Sequence, residues 1–205
     1  MNTTVIFFDT ETNGLTSQDS VLSISAIKAV FSGTKVVVSD AIVDCYERFY
    51  YRKPGEFLSA GAVKVNGLTN DVIAEKRGDA AYPRCFHEDI EAFRMFCGEA
   101  RHFVAHNIAF DQQFIPFPMP TIFCTMKENK RVINLRRRTG GLKFPSLNEA
   151  ARFYGIDVCP TQLHGSTYDT HLVYLIFKKM LETSETQKKA WKFLEKKPKQ
   201  AALSF

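Results

Sequence analysis

Four consecutive apolar residues, Val5-Ile-Phe-Phe8, run directly into Asp9-Thr-Glu11. A short run with no polar side to turn toward water reads as a buried strand. Successive strand side chains point to opposite faces, so Asp9 and Glu11 return to the same face and can share one cation. That is metal-site geometry. Two solvated acids at an exposed strand end would show the same spacing, so the pair gains meaning only from companions elsewhere in the chain. Asn13-Gly14 supplies a turn soon afterward.

Downstream, residues 21–31 and 35–50 are rich in β-branched and aromatic side chains, and Ser32-Gly33-Thr34 between them makes a hairpin turn. Three adjacent antiparallel strands follow. From Glu56 the pattern changes. A short helix opens at Thr69, and residues 87–97 form an amphipathic one with Ile90, Phe93 and Phe96 on its apolar side. Residues 101–105 and 121–124 are short strand candidates, each leading into a helix, at 107–114 and 126–134. Pro116, Pro118 and Pro120 forbid regular helix between them. Ser146-Leu-Asn-Glu149 has the spacing of an N-terminal capping box. A largely buried helix is expected over 167–181. Hairpin strands followed by strands alternating with helices indicate an α/β protein, a mixed sheet covered by helices.

With 205 residues, 45% of them hydrophobic, and no composition break, the chain can close one substantial core. The expected organisation is a domain over 1–183 and a basic tail over 184–205, with a short helix around Trp191 and Phe193 stopped by Pro198. No apolar stretch approaches the roughly 18 residues of a membrane span, and the N-terminus lacks the order of a signal peptide, so the expected setting is cytoplasmic and no membrane partner is expected. The five cysteines are odd in number, scattered and never spaced Cys-x-x-Cys, which argues against disulfides and zinc. The net charge of +5 is uneven: Arg131, Arg136, Arg137, Arg138 and Lys143 cluster, a pattern suited to a polyanion and also to an ordinary solvated face.

Two further acidic segments accompany the first. Asp111 ends Val104-Ala-His-Asn-Ile-Ala-Phe-Asp111, in the first turns of a helix where a carboxylate favoured by the helix dipole is unremarkable alone. Asp169 ends His164-Gly-Ser-Thr-Tyr-Asp169, where Ser166 and Asp169 have capping-box spacing. Taken in order, Asp-x-Glu, His-Asn-x-x-Phe-Asp and His-x-x-x-x-Asp form a specific pattern. The chain resembles the histidine subclass of DEDD-type 3′-to-5′ exonucleases, the group that includes the proofreading subunit of bacterial replicative DNA polymerases. The resemblance covers roughly residues 4–181 and extends to Val65-Asn-Gly-Leu-Thr69, Phe123-Cys-Thr-Met126 and Leu147-Asn-Glu-Ala-Ala-Arg-Phe-Tyr-Gly-Ile156.

The resemblance implies a ribonuclease H-like fold and two divalent ions, Mg²⁺ or Mn²⁺, held by Asp9, Glu11, Asp111 and Asp169. It implies that Asp9 bridges both ions, that Glu11 and Asp169 complete one site, that Asp111 supports the other, and that His164 is the general base. The chemistry supplies an independent reason: hard cations prefer oxygen ligands, and paired ions can stabilise both the attacking and the leaving oxygen of a phosphodiester. By the same resemblance Thr12 and Leu15 contact the terminal nucleotide, Leu15 by wedging against a base, and Phe110 packs near the sugar. Asn66 stands where many relatives carry His, so a contact to that nucleotide is expected to differ. His87, His102, His106 and His171 receive no role.

The tail ends Gln200-Ala-Ala-Leu203-Ser-Phe205, which resembles the Gln-x-x-Leu-x-Phe peptide that docks bacterial replication proteins on the sliding clamp. Gln200, Leu203 and Phe205 are thus candidate partner-binding residues. The leading expectation is an enzyme acting on single-stranded or frayed DNA 3′ ends in proofreading or repair, recruited by the clamp, with a DNA polymerase as a further candidate partner. The alternatives are a ribonuclease trimming RNA 3′ ends and a non-catalytic polymerase- or clamp-associated subunit. Four clustered acids argue against the last, since they repel one another without cations.

Overall fold

A computed structural model describes residues 2–34, 38–159, 161, 163 and 165–197. Five strands form one sheet in the order β3-β2-β1-β4-β5, where β1 is Asn2–Thr12, β2 Val21–Gly33, β3 Val38–Phe49, β4 His102–Ala105 and β5 Thr121–Cys124. β1, β2 and β3 are antiparallel neighbours; β4 and β5 join parallel to β1. The apolar run at Val5 is therefore the middle of the sheet, paired to Ala29 on one side and His102 on the other. Val5, Ile6, Phe7 and Phe8 are all fully buried, as a run with apolar side chains on both faces requires.

Each face of β1 feeds its own core. Val5 and Phe7 join Ile27, Phe31, Val104 and Phe123 beneath α6 (Leu147–Phe153), α7 (Ser166–Glu182) and α8 (Ser184–Leu194). Phe7 meets Phe31, Tyr174 and Phe177 at ring-centroid distances of 6.0, 5.4 and 5.5 Å, largely edge-on. Ile6 and Phe8 face the other way, toward Phe93 on α3 (Ile90–Cys97), Phe103 and the irregular segment through Phe114 and Met119. α1 (Ala60–Asn66) and α2 (Asn70–Arg77) lie beyond β3 and the turn after β1, and α5 (Thr125–Ile133) follows β5 directly.

Several expectations meet the structure with adjustments. The helix expected over 107–114 is one α-turn, α4 (Ile108–Asp111), followed by a 3₁₀ turn at Gln112–Phe114. Pro116 accounts for the early end, since it drives Ile115 to extended backbone (φ −105°, ψ 106°). The capping box at Ser146 and Glu149 is formed in full. The one suggested at Ser166 is not: Gly165 occupies the cap position, and the Ser166 hydroxyl instead receives a hydrogen bond from Ser23 of β2 (3.1 Å). α8 packs Ala190, Trp191, Phe193 and Leu194 into the same core as Phe7 and Phe177. Among the described residues no helix is long and apolar enough to cross a membrane.

Candidate active site

Asp9 and Glu11 continue the face that Val5 and Phe7 bury, so the register that fills the core also aims both carboxylates toward α7. Opposite them on β2 stand Ser25 and Ser23. Small side chains there let the first turns of α7 approach the sheet, and the hydroxyls fasten it. Ser23 bonds to Ser166, and Ser25 shares a 2.5 Å hydrogen bond with Thr170. Asp169 lies between those two anchors, in the first turn of α7, where the helix dipole favours a carboxylate. Asp9, Glu11 and Asp169 each offer an oxygen, and the three lie within 4.8 Å of one another.

Asp111 comes from the far side of β1. It follows the carboxyl end of β4, where β1, β4 and β5 run parallel and end on the same side of the sheet. Thr10 points away from α7 and donates to Asp111 Oδ1 through both its N–H (3.1 Å) and its hydroxyl (2.9 Å). Asn107 makes the sharp entry into α4 with a left-handed backbone (φ 90°). His106 braces that entry: Nε2 bonds to the Pro145 carbonyl (3.0 Å) and Nδ1 to the Thr125 hydroxyl (2.9 Å). Burial pushes its pKa down to about 4, so the ring is neutral near pH 7, donating from Nε2 to the carbonyl and accepting at Nδ1.

The acids resist ionisation. Burial first, and then repulsion from Asp111, Glu11 and Asp169, hold the Asp9 carboxyl well above the usual range. Burial, followed by Asp169 and Asp111, raises Glu11 to about 8, opposed by a hydrogen bond from Asn66. Asp111 is raised to about 7 by burial, with the Thr10 bonds opposing. Three oxygen donors converging from β1 and α7, with a fourth carboxylate coupled to them, fit hard divalent cations: a cation removes the repulsion and satisfies oxygens that burial has taken from water. Asp9, Glu11 and Asp169 are also the set that the resemblance gives to a single ion.

The model of the RNase T exonuclease family matches residues 6–177. The chain belongs to that family. It is similar to the PolC-type DNA polymerase III of Staphylococcus aureus, 31% identical over 188 residues that cover 87% of this chain and 11% of that polymerase. The chain thus spans a small part of the length of the curated relatives it matches. Its fold is shared with exonuclease X in complex with 5′-overhanging duplex DNA (TM-score 0.55, 20% identity, covering 91% of this chain and 98% of that one). It is shared also with the nuclease domain of 3′hExo, a DEDDh family member bound to rAMP (TM-score 0.54, 11% identity, covering 88% and 92%). The five-stranded mixed sheet flanked by helices is the ribonuclease H-like architecture expected from the sequence.

The substrate-contact candidates surround the carboxylates unevenly. Leu15 is 80% exposed on the turn after β1, with Gln113 Nε2 donating to its carbonyl (3.2 Å). Thr12 is buried; its hydroxyl donates to the Gly14 carbonyl (2.6 Å), and its own carbonyl accepts from Asn66 Nδ2 (3.2 Å). Asn66 ends α1 because Gly67 takes a left-handed conformation (φ 70°), which turns the amide back onto β1 and Glu11. Phe110 lies half-buried and edge-on to Phe114 at 5.2 Å. His164, one position before the cap of α7, lies outside the described residues, as do Gln200, Leu203 and Phe205. Sequence patterns alone give Thr10 no role, although period-two alternation already places it opposite Asp9 and Glu11. They likewise assign nothing to His106, whose two bonds reach Thr125 and Pro145.

Proposed function

We propose that this chain is a metal-dependent 3′-to-5′ exonuclease that releases nucleotides from DNA 3′ ends, in proofreading or repair, and that the sliding clamp recruits it through Gln200, Leu203 and Phe205. The observation that carries the reading is the convergence of Asp9, Glu11 and Asp169 within 4.8 Å on an exonuclease-family domain. Asp9, Glu11 and Asp169 would hold one Mg²⁺ or Mn²⁺ ion, and Asp111, steadied by Thr10, would support a second. Bound there, the ions supply charge stabilisation at the scissile phosphate and a lowered pKa for the attacking water. Asn66 orients Glu11, and Leu15 presents an apolar face to the terminal base, which suits sequence-tolerant digestion because every base has a face to stack on. His164 would accept the proton released by the attacking water, a task for which an imidazole nitrogen is suited.

The DNA preference is supported by similarity to a DNA polymerase. RNA is the second reading, favoured by the shared fold with a nuclease domain bound to rAMP. The test is Mg²⁺-dependent digestion of matched 5′-labelled DNA and RNA oligonucleotides by the native chain and Asp9→Ala, with clamp added to primed duplex. DNA digestion lost in the variant, and clamp stimulation lost on deleting 200–205, is the expected result. Preference for RNA moves the enzyme to RNA processing. No variant-sensitive activity on either leaves a binding subunit.

A further inference from the structure

Phe57 is 92% exposed, more than any other large apolar side chain among the described residues, and the exonuclease chemistry gives it no task. Its backbone, in contrast, is fixed. Asn13, itself buried, donates from Nδ2 to the Phe57 carbonyl (2.9 Å) and to Glu56 Oε1 (2.6 Å), and accepts at Oδ1 from the Ser59 N–H (2.9 Å). Glu56 also receives the N–H of Ser20 (3.1 Å) and its hydroxyl, while Arg52 Nε bonds to the Glu56 carbonyl (3.1 Å). The loop bearing Phe57 is thereby sewn to the turn bearing Leu15, two positions from Asn13 and 80% exposed. α1 follows at once with none of its residues buried, and it carries Val65 (57% exposed) next to Asn66, whose amide bonds to the Thr12 carbonyl. Leu15, Phe57 and Val65 are thus three exposed apolar side chains on segments tied directly to the carboxylate-bearing end of β1.

A solvent-exposed aromatic on a free loop has no particular meaning. One on a backbone pinned by half-buried hydrogen bonds has already lost the loop entropy that binding would otherwise cost, and an aromatic face on a loop tied to the carboxylate-bearing strand is suited to a nucleobase. We propose that Phe57 is a substrate-binding residue that stacks on a nucleobase of the bound strand. The inference rests on the exonuclease reading above and extends it from the terminal nucleotide to the way the strand is held. Because the partner is a ring face and not a hydrogen-bonding edge, the contact selects for a base being present, not for which base it is.

The experiment is steady-state hydrolysis of a 5′-labelled octanucleotide in Mg²⁺ by the full chain, by Phe57→Ala and by Phe57→Trp, repeated with a single abasic residue walked back from the 3′ end. Expected is a rise in KM of about tenfold for Phe57→Ala, equivalent to about 1.4 kcal/mol and within the range for one stacked base. The kcat stays within twofold, and Phe57→Trp restores the native KM. At one position the abasic substrate raises the KM of the native chain and leaves that of Phe57→Ala unchanged. A KM within twofold of native, a loss in kcat alone, or abasic effects equal in both proteins at every position overturns the proposal. If the native chain digests no oligonucleotide, the exonuclease reading fails by itself. The same comparison is then read as equilibrium anisotropy of a fluorescein-labelled octanucleotide in Ca²⁺, where equal affinities of native and Phe57→Ala overturn the stacking role.

Discussion

Replacing Glu11 by Gln should stabilise this protein whenever metal is withheld. The Glu11 carboxyl ordinarily loses its proton near pH 4.5, but in the fold its pKa is raised to about 8, first by burial and then by Asp169 and Asp111. Between those values the folded state keeps a proton that the unfolded chain has released. The stability this group contributes is therefore fully present below pH 4.5 and is lost as pH rises toward 8. At about 1.36 kcal/mol per pH unit, the loss by pH 7 approaches about 3 kcal/mol, and relaxation of the coupled acids brings it to roughly 1–3 kcal/mol. Gln has nearly the same shape, still accepts from Asn66 and cannot ionise. In EDTA at pH 7, Glu11→Gln should melt roughly 2–12 °C above the native chain, at about 2–4 °C per kcal/mol for a protein of this size. The two melting curves should converge near pH 4.5. Mg²⁺ should reverse the order by raising the native Tm more than the variant's, while the variant stays inactive. A variant that melts at or below the native chain in EDTA at pH 7, or a gap that does not narrow with acid, would refute electrostatic stress as the character of the site.

Thr10→Val keeps the side-chain shape and removes the 2.9 Å bond to Asp111 while leaving the N–H in place. It should cost about 1 kcal/mol of stability and weaken activation by Mg²⁺ by about tenfold, read from an activity titration against Mg²⁺; an unchanged titration would reduce Thr10 to packing. Arg136, Arg137 and Arg138 are exposed on a small hairpin closed by the Arg136 and Leu142 bridge. Reversing all three to Glu should weaken binding of single-stranded oligonucleotides similarly across sequences. It should also flatten the salt dependence, by about 0.7 in log–log slope for each phosphate that the hairpin neutralises in the native chain. Affinity equal to native at low salt would make this hairpin a solubilising surface.

The parts of this molecule legible in its sequence are those encoded over short distances. The central strand follows from four apolar residues in a row, the shared face of Asp9 and Glu11 from alternation, and the capped helix at Ser146 from a four-residue pattern. The rest depends on partners that local patterns do not name. Thr10 finds Asp111 across 101 positions, and Asn13 finds Glu56 across 43. Nothing in the neighbourhood of Phe57 marks it as held, because Asn13 and Ser20, which tie down its loop, lie beyond the whole of β2 and β3. Likewise α8, amphipathic but lysine-rich, reads as part of a polar tail until Trp191 and Phe193 are seen beside Phe123 and Phe177.

β1 links these two levels, and its register shows why core and chemistry are hard to separate in this fold. On one face, Val5 and Phe7 fill the core under α7 and are followed by Asp9 and Glu11; on the other, Ile6 and Phe8 pack toward Phe93 and are followed by Thr10, which holds Asp111. A slip of one residue would turn Asp9 and Glu11 toward α3, send Thr10 toward α7 and expel Phe7 from its ring of Phe31, Tyr174 and Phe177. Full burial of a Phe is worth about 2–3 kcal/mol, so the aromatic cluster opposes that slip far more strongly than any contact among the mutually repelling acids could. The carboxylates converge because the neighbouring core compels them to, and the electrostatic cost of that convergence is what a divalent cation offsets.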